Sequence, residues 1–330
     1  MENEPFKLSY SAETTALTCE QRYAYSHIMK LPIDPDANTD TASLRFGKAH
    51  HSILEKCEYE MGYFLDKADV YLEAACKEFQ IDQHFSQCLL ASCVYSSLKL
   101  WETTKLRVVK CEIQIGDEYT NGYVDFVAVC PNTRKWYIGD NKTASPFYTA
   151  NPTRLPRDPQ LSLYAKFRNQ IAEICGLNVE DFVGCLYMEV IKHRLSVEKE
   201  GKEKLMTYAK RCVAECNLYF VPKEMISEDP VAVHSYIYNR ILELKAGRVP
   251  IRNYKHCTDF GRKCEYWSRC YGEFASRVEE IMGQNTFSLY REGKGKAQTV
   301  QINSRSLAFD YEEVTEQPVQ QQFVNLDDLF

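Results

Sequence analysis

Gly122-Tyr-Val-Asp125-Phe-Val-Ala-Val129 and, after a turn, Trp136-Tyr-Ile-Gly-Asp140-Asn141-Lys142-Thr143 are two apolar segments with carboxylates set into them. Each is short, rich in β-branched and aromatic residues, and bounded by turn formers, so each reads as a strand. Side chains alternate along a strand, which places Asp140 and Lys142 on one face about 7 Å apart and Asn141 on the other. Two carboxylates on adjacent strands can share a divalent cation, because hard cations take oxygen ligands. A lysine beside that cation can bind a phosphate or orient a water. Asn141, though turned away, could still offer the cation its backbone carbonyl. An Asp-x-Lys alone equally describes a surface ion pair, with Asp125 as a strand-edge charge.

Outward from this pair, 107–115 reads as a preceding strand, joined to 122–130 by a Gly116/Asp117/Asn121/Gly122 turn; 135–142 is the third strand. Upstream, 8–30 is helix-forming, 34–40 is a turn-rich loop, 41–60 is helical around His50 and His51, and a helical stretch spans about 66–106. Downstream, a Pro-rich loop at 145–159 leads to an amphipathic helix at 160–174. A strand at 183–191 and a charged helix at 197–220 follow. Pro230 opens another helix that Gly247 closes. A cysteine-bearing loop at 253–272 then runs into a helix to about 282.

Composition narrows the class. The chain has 330 residues, 45% hydrophobic, enough for a substantial core. No apolar run is long enough for a membrane span, and the N-terminal residues lack the pattern of a secretory signal. The formal charge of −6 hides a polarity: residues 1–98 carry −7, 99–305 carry +7 and 306–330 carry −6. A basic middle region suits a nucleic-acid partner, although such an excess is also ordinary surface variation. Fourteen cysteines without an export signal suit a reducing compartment, as thiols or metal ligands.

The ordered set around the two strands carries a resemblance. Gly47-Lys-Ala-His-His51-Ser-Ile-Leu-Glu55 precedes them, Glu112 opens the first strand, and Gln160-Leu-Ser-Leu-Tyr164 follows, its Gln and Tyr on one helix face. Over roughly residues 8–272 this order resembles the PD-(D/E)XK nucleases of the RecB and AddB type, including the CRISPR-associated RecB-like nucleases and phage exonucleases related to exonuclease VIII. The resemblance implies an α/β, restriction-endonuclease-like core: a small mixed sheet flanked by helices. It implies His51 and Asp125 as ligands of Mg²⁺ or Mn²⁺, Asp140 as the second carboxylate and Lys142 as the catalytic lysine. Gln160 and Tyr164 match the Q-x-x-x-Y helix that braces the site and contacts DNA. His50 is expected to be packed in its helix, and Glu112 to be either a site residue or a solvated strand opener.

Ten of the cysteines are scattered and read as small core hydrophobes. The other four are Cys257, Cys264 and Cys270 in a loop rich in Lys and aromatics, and Cys19 in Ser9-Tyr-Ser11…Cys19-Glu-Gln-Arg-Tyr23. The latter is similar to the N-terminal segment of iron–sulfur members of the same family, where one N-terminal cysteine joins three C-terminal ones around a [4Fe–4S] cluster. Here the first spacing is C-x6-C where relatives have C-x2-C, and Glu20 stands where they have Pro. A zinc site using three of these thiols with Cys19 or His256, or plain thiols, are the alternatives.

The domain reading is a nuclease unit over 1–283 and a flexible acidic tail over 284–330. The tail ends in Gln322-Phe-Val-Asn-Leu-Asp-Asp-Leu-Phe330, which resembles peptides that bind sliding clamps and the tails of single-strand-binding proteins. The expectation is thus a metal-dependent deoxyribonuclease, an exonuclease acting on single-stranded or duplex DNA ends in recombination, replication or repair. It is expected in the cytoplasm of a bacterial or phage-infected cell. The alternative is a DNA-binding accessory protein that docks partners through its tail.

Overall fold

The computed structural model describes residues 6–34, 42–146, 149–192, 204–257 and 263–272. The expected helix to about 282, the acidic tail and its terminal peptide lie outside them, as does Arg194, a basic residue expected with Arg154, Arg157, Arg168 and Lys192 to carry the DNA backbone.

Five strands form one mixed sheet in the order β1-β2-β3-β4-β5: β1 (Arg107–Gly116), β2 (Asn121–Val129), β3 (Trp136–Ala144), β4 (Phe182–Ile191) and β5 (Glu215–Pro222). Neighbours are antiparallel except β3 and β4, which are parallel. A parallel pair needs a crossover connection. It is supplied by a 3₁₀ turn, Pro152–Arg157, and two short helices, α6 (Pro159–Lys166) and α7 (Arg168–Cys175), numbered after the helices that precede them. The α/β architecture expected from the sequence, a small mixed sheet flanked by helices, is the one found.

Helices α3 (Ala42–Lys56), α4 (Met61–Glu78) and α5 (His84–Thr104) cover one sheet face. There Ile53, Leu54, Leu90 and Leu98 pack with Phe126, Leu186 and Met188 of the strands. Each such fully buried aliphatic or aromatic side chain contributes about 1.5–3 kcal/mol. α6 and α7 cover the other face, packing Leu161, Tyr164 and Ile171 on Val124, Trp136 and Ile138. A third cluster joins α1 (Tyr10–Thr18) and α2 (Glu20–Tyr23) to α9 (Asp229–Lys245) through Leu8, Ala12, Tyr23, Ile237 and Ile241. A buried chain ties it to the β1–β2 turn: His234 lies 2.6 Å from Glu13 and 3.2 Å from Thr120.

Several expectations need correction. The charged helix at 197–220 is, over its described part, α8 (Leu205–Arg211) followed by β5. Cys216-Asn-Leu-Tyr-Phe-Val221 is strand-forming, and pairing with β4 along its length overrides the helical pattern of the charged residues before it. The stretch 66–106 is two helices, broken where Gln80 takes a left-handed φ of 53°. The 160–174 helix breaks at Phe167. Glu112 does not open its strand but stands in the middle of β1, which runs over the expected 107–115 and one residue beyond.

Two close approaches set the sheet's site-bearing region. Gly139 faces Phe126 across the ladder, and a Cβ at 139 would fall 1.9 Å from the Phe126 ring. A Cβ at Gly47 of α3 would lie 3.4 Å from Thr143 Oγ1 of β3. The helix therefore rests close on the strand, and its residue one turn later is His51.

Candidate active site

The β2–β3 ladder runs from Val129↔Trp136 to Phe126↔Gly139. The next residue on each strand is a carboxylate, Asp125 and Asp140, so both acids stand where the paired strands part. Asn141 N–H bridges the gap, donating to Asp125 Oδ2 at 2.7 Å.

On the α3 side, His51 Nδ1 lies 3.6 Å from Asp125 Oδ2. Ligand atoms of His51, Glu112 and Asp125 all fall within 4.8 Å of one another. One imidazole and two carboxylates at that spacing are a donor set suited to Mg²⁺ or Mn²⁺. Glu112 is drawn in by its backbone: its φ of 48° is left-handed within a strand, a conformation uncommon for a non-glycine residue. Partial burial, then Asp125 and Glu55, push its carboxyl up to about 7. An open cavity of about 690 Å³ borders two of the trio, His51 and Glu112, and is lined also by Ser43, Gly47, Glu55 and Lys142.

Asp140 stands outside the trio. It is 1% exposed, and Lys142 Nζ lies 2.7 Å from its carboxylate. Burial, with Asp125 adding to it, pushes the Asp140 carboxyl up to about 7 against the pull of Lys142. Burial works against the Lys142 charge as well, but Asp140 and Asp125 outweigh it and hold the amine above its ordinary range. Groups shifted in this way by desolvation and a specific partner, at the edge of a cleft, mark functional sites. Asn141 points to the other sheet face, where its buried amide donates to the Tyr59 hydroxyl.

α6 approaches the fork from the sheet face opposite α3. Its N-cap Asp158 accepts from Gln160 N–H and Leu161 N–H. Gln160 Nε2 donates to Tyr164 OH at 2.5 Å, and that hydroxyl donates to the Tyr123 carbonyl at 2.6 Å. The Gln–Tyr pair thus braces β2 two residues before Asp125. His50 is 1% exposed and bonded to Ser97 Oγ at 3.0 Å. Burial, then the neighbouring His51, lowers its pKa to about 3, so it is a core histidine.

Cys19, Cys257, Cys264 and Cys270 all line one small pocket, together with His256. No disulfide joins any of the fourteen cysteines, all of which lie among the described residues. The pocket joins the two ends of the fold: Arg22 Nε lies 2.7 Å from Glu265 Oε1, Asp34 N–H donates to the Glu265 carbonyl at 2.8 Å, and Ser268 N–H donates to Asp34 at 2.7 Å. Burial pushes the Cys264 thiol up to about 11, and Cys257 adds to the shift.

Sequence reasoning did not single out Glu55, Tyr59 or Asp158. Glu55 was visible as the residue four after His51, hence on its helix face. Asp158 was visible as an Asp-Pro helix start. Nothing in the sequence marked Tyr59.

A mixed sheet that forks between two carboxylates, with a lysine paired to one and a histidine beside the other, defines a class of site built for a hard cation and a phosphate. The sequence profile of the PD-(D/E)XK nuclease superfamily matches residues 7–271, and the chain belongs to that superfamily. Its members are nucleases, hydrolases of DNA that use divalent metals such as Mg²⁺. A search of the curated proteins finds no match to the chain. Among the described residues no helix is long and apolar enough to cross a membrane.

Proposed function

We propose that the chain is a divalent-metal-dependent deoxyribonuclease of the RecB/AddB type, an exonuclease that trims DNA ends in recombination, replication or repair. The observation that carries the reading is the donor trio of His51, Glu112 and Asp125 beside the Asp140–Lys142 pair. The residues present fit Mg²⁺ or Mn²⁺. His51, Asp125 and Glu112 would hold the ion, with Asp140 and the Asn141 backbone carbonyl available at its margin. When bound, such an ion lowers the pKa of water and offsets charge building on the phosphate.

The remaining work falls to the chain's own side chains. Lys142 presents a positive charge to the scissile phosphate and orients the attacking water. Asp140, held by Lys142 and buried, keeps that amine in place and charged. Gln160 and Tyr164 fix β2 and with it Asp125. Arg154 and Arg157 on the 3₁₀ turn, Arg168 on α7 and Lys192 after β4 are basic groups available to the DNA backbone. Exonuclease action rests on the resemblance of the ordered set from Gly47 to Tyr164 to RecB-type enzymes. The test uses DNA labelled at one end: Mn²⁺ supports stepwise shortening by the wild-type chain, and Asp140→Ala or Lys142→Ala abolishes it. Shortening that survives Asp140→Ala would remove this site from the reaction.

The cysteine pocket is proposed to hold a [4Fe–4S] cluster, since four thiols of one pocket are its donor set; the cluster would staple the two ends of the fold. His256 lines the same pocket, so a zinc ion held by three thiols and this ring is the rival. A reducing, cytoplasmic setting is the compartment proposed for a chain with fourteen cysteines. The tail peptide from Gln322 to Phe330 is proposed, from its sequence alone, to dock a sliding clamp or single-strand-binding protein. Deleting 318–330 then abolishes capture by those partners and spares cleavage.

A further inference from the structure

We propose that Tyr59 is a positioning residue of the metal trio, acting through Asn141 on Asp125. The inference rests on the nuclease reading above and adds to it a buried group on the α3-covered face of the sheet. Asn141 uses its two ends on two faces. Its backbone N–H donates to Asp125 Oδ2 at 2.7 Å, and its side-chain amide donates to the Tyr59 hydroxyl. Asn141 is 1% exposed, and its other amide atom, Oδ1, is buried with no hydrogen-bond partner. The bond to Tyr59 is therefore the polar contact that sets the rotation of this side chain, and through it the pose of the peptide that grips Asp125.

Tyr59 is itself tightly specified. It is 4% exposed, and its ring packs 4.9 Å from Phe126 and 5.6 Å from Trp101. Phe126 is the residue after Asp125 and lies over Gly139, so the same ring stack borders both strands at their fork. Glu58 and Tyr59 take consecutive left-handed φ values of 52° and 60°. Such residues cost of order 1 kcal/mol each and persist where the surroundings over-determine them. This strained turn ends α3, the helix that carries His51. Tyr59 thus ties the His51 helix to the backbone unit that orients Asp125, and two ligands on different elements share one anchor. Burial holds the phenol well above its ordinary pKa, so it remains a neutral hydroxyl.

Groups that orient metal ligands from behind typically change metal affinity by about 10- to 100-fold when removed. The test is Mn²⁺ titration calorimetry on the full chain, with thermal melting alongside. Tyr59→Phe keeps the ring and removes the hydroxyl. It is expected to weaken Mn²⁺ binding by about 10-fold and to raise the Mn²⁺ concentration for half-maximal cleavage, with the maximal rate recovered at saturating Mn²⁺. Asn141→Ala removes the same contact from the other side, and Tyr59→Phe/Asn141→Ala should bind no more weakly than Asn141→Ala alone. Should Tyr59→Phe not fold, Asn141→Ala read in the same way decides the matter. Wild-type Mn²⁺ affinity in Tyr59→Phe, or additive losses in the double variant, would overturn the inference and leave the nuclease reading standing. A wild-type chain whose Mn²⁺ binding is unchanged by His51→Ala would overturn both.

Discussion

Lys142 Nζ stands 2.7 Å from the Asp140 carboxylate, yet the two side chains meet solvent very differently: Asp140 is 1% exposed and Lys142 36%. The acid is committed to the interior while the base reaches the cleft. A buried carboxylate is costly to ionise, and a half-exposed lysine repays only part of that cost. The pair is therefore arranged for chemistry at the expense of stability.

Asp140→Asn should separate the two. With the buried charge gone, the metal-free variant at pH 8 is expected to melt at or above the wild-type temperature, by about 2 °C for each kcal/mol regained. Cleavage should fall by at least about 100-fold. Melting in EDTA and an end-labelled cleavage assay check the two halves. A clear loss of stability with cleavage intact would reverse the assignment.

The pH dependence of the metal-free protein has a definite sign. Glu112 and Asp140 titrate at about 7 when folded, against ordinary values of 4.5 and 3.8. Between those limits the folded chain holds protons that the unfolded chain has released, so stability falls as pH rises through the window. Thermal melts in EDTA should therefore decline from about pH 5 to pH 8, and saturating Mn²⁺, which neutralises the acids, should flatten the decline. A metal-free melting temperature that rose over this range would contradict the site's electrostatics.

Adjacent histidines should fail in different ways. His51→Ala removes a proposed ligand from a partly exposed position and should abolish Mn²⁺ binding with little change in melting. His50→Ala leaves a cavity and removes the imidazole partner of the Ser97 hydroxyl, and should cost about 2 kcal/mol or more in chemical denaturation while Mn²⁺ binding survives. Equal behaviour of the two variants would argue against the orientation of α3.

The proposed cluster in the cysteine pocket predicts a colour. With that cluster in place, anaerobically purified protein should be brown, and Cys264→Ser should bleach it and lower the melting temperature without weakening Mn²⁺ binding at the trio. A colourless protein with one zinc per chain would instead assign the pocket to zinc.

Much of this was readable from the residues because strand alternation and order survive without a structure. The Gly116–Gly122 turn chemistry located β1 and β2, and Asp140-x-Lys142 could lie on one face only. β5 was hidden because its strand-forming residues follow a charged stretch with helical spacing, and only pairing with β4 decides the matter. Glu112 was seen, but the left-handed φ it takes in mid-strand leaves no mark in composition. Tyr59 could not be seen at all. Its relation to Asn141 depends on two left-handed residues and on the depth at which α3 rests on β3.

The most direct test of the central claim is the Mn²⁺-dependent shortening of end-labelled DNA by the wild-type chain and by Asp125→Asn, which keeps the shape of the trio and removes one charge. Stepwise shortening by the wild type, stopped by EDTA and reduced at least about 100-fold in the variant, is the predicted result. Shortening by Asp125→Asn at the wild-type rate, or shortening that persists in EDTA, would contradict the account.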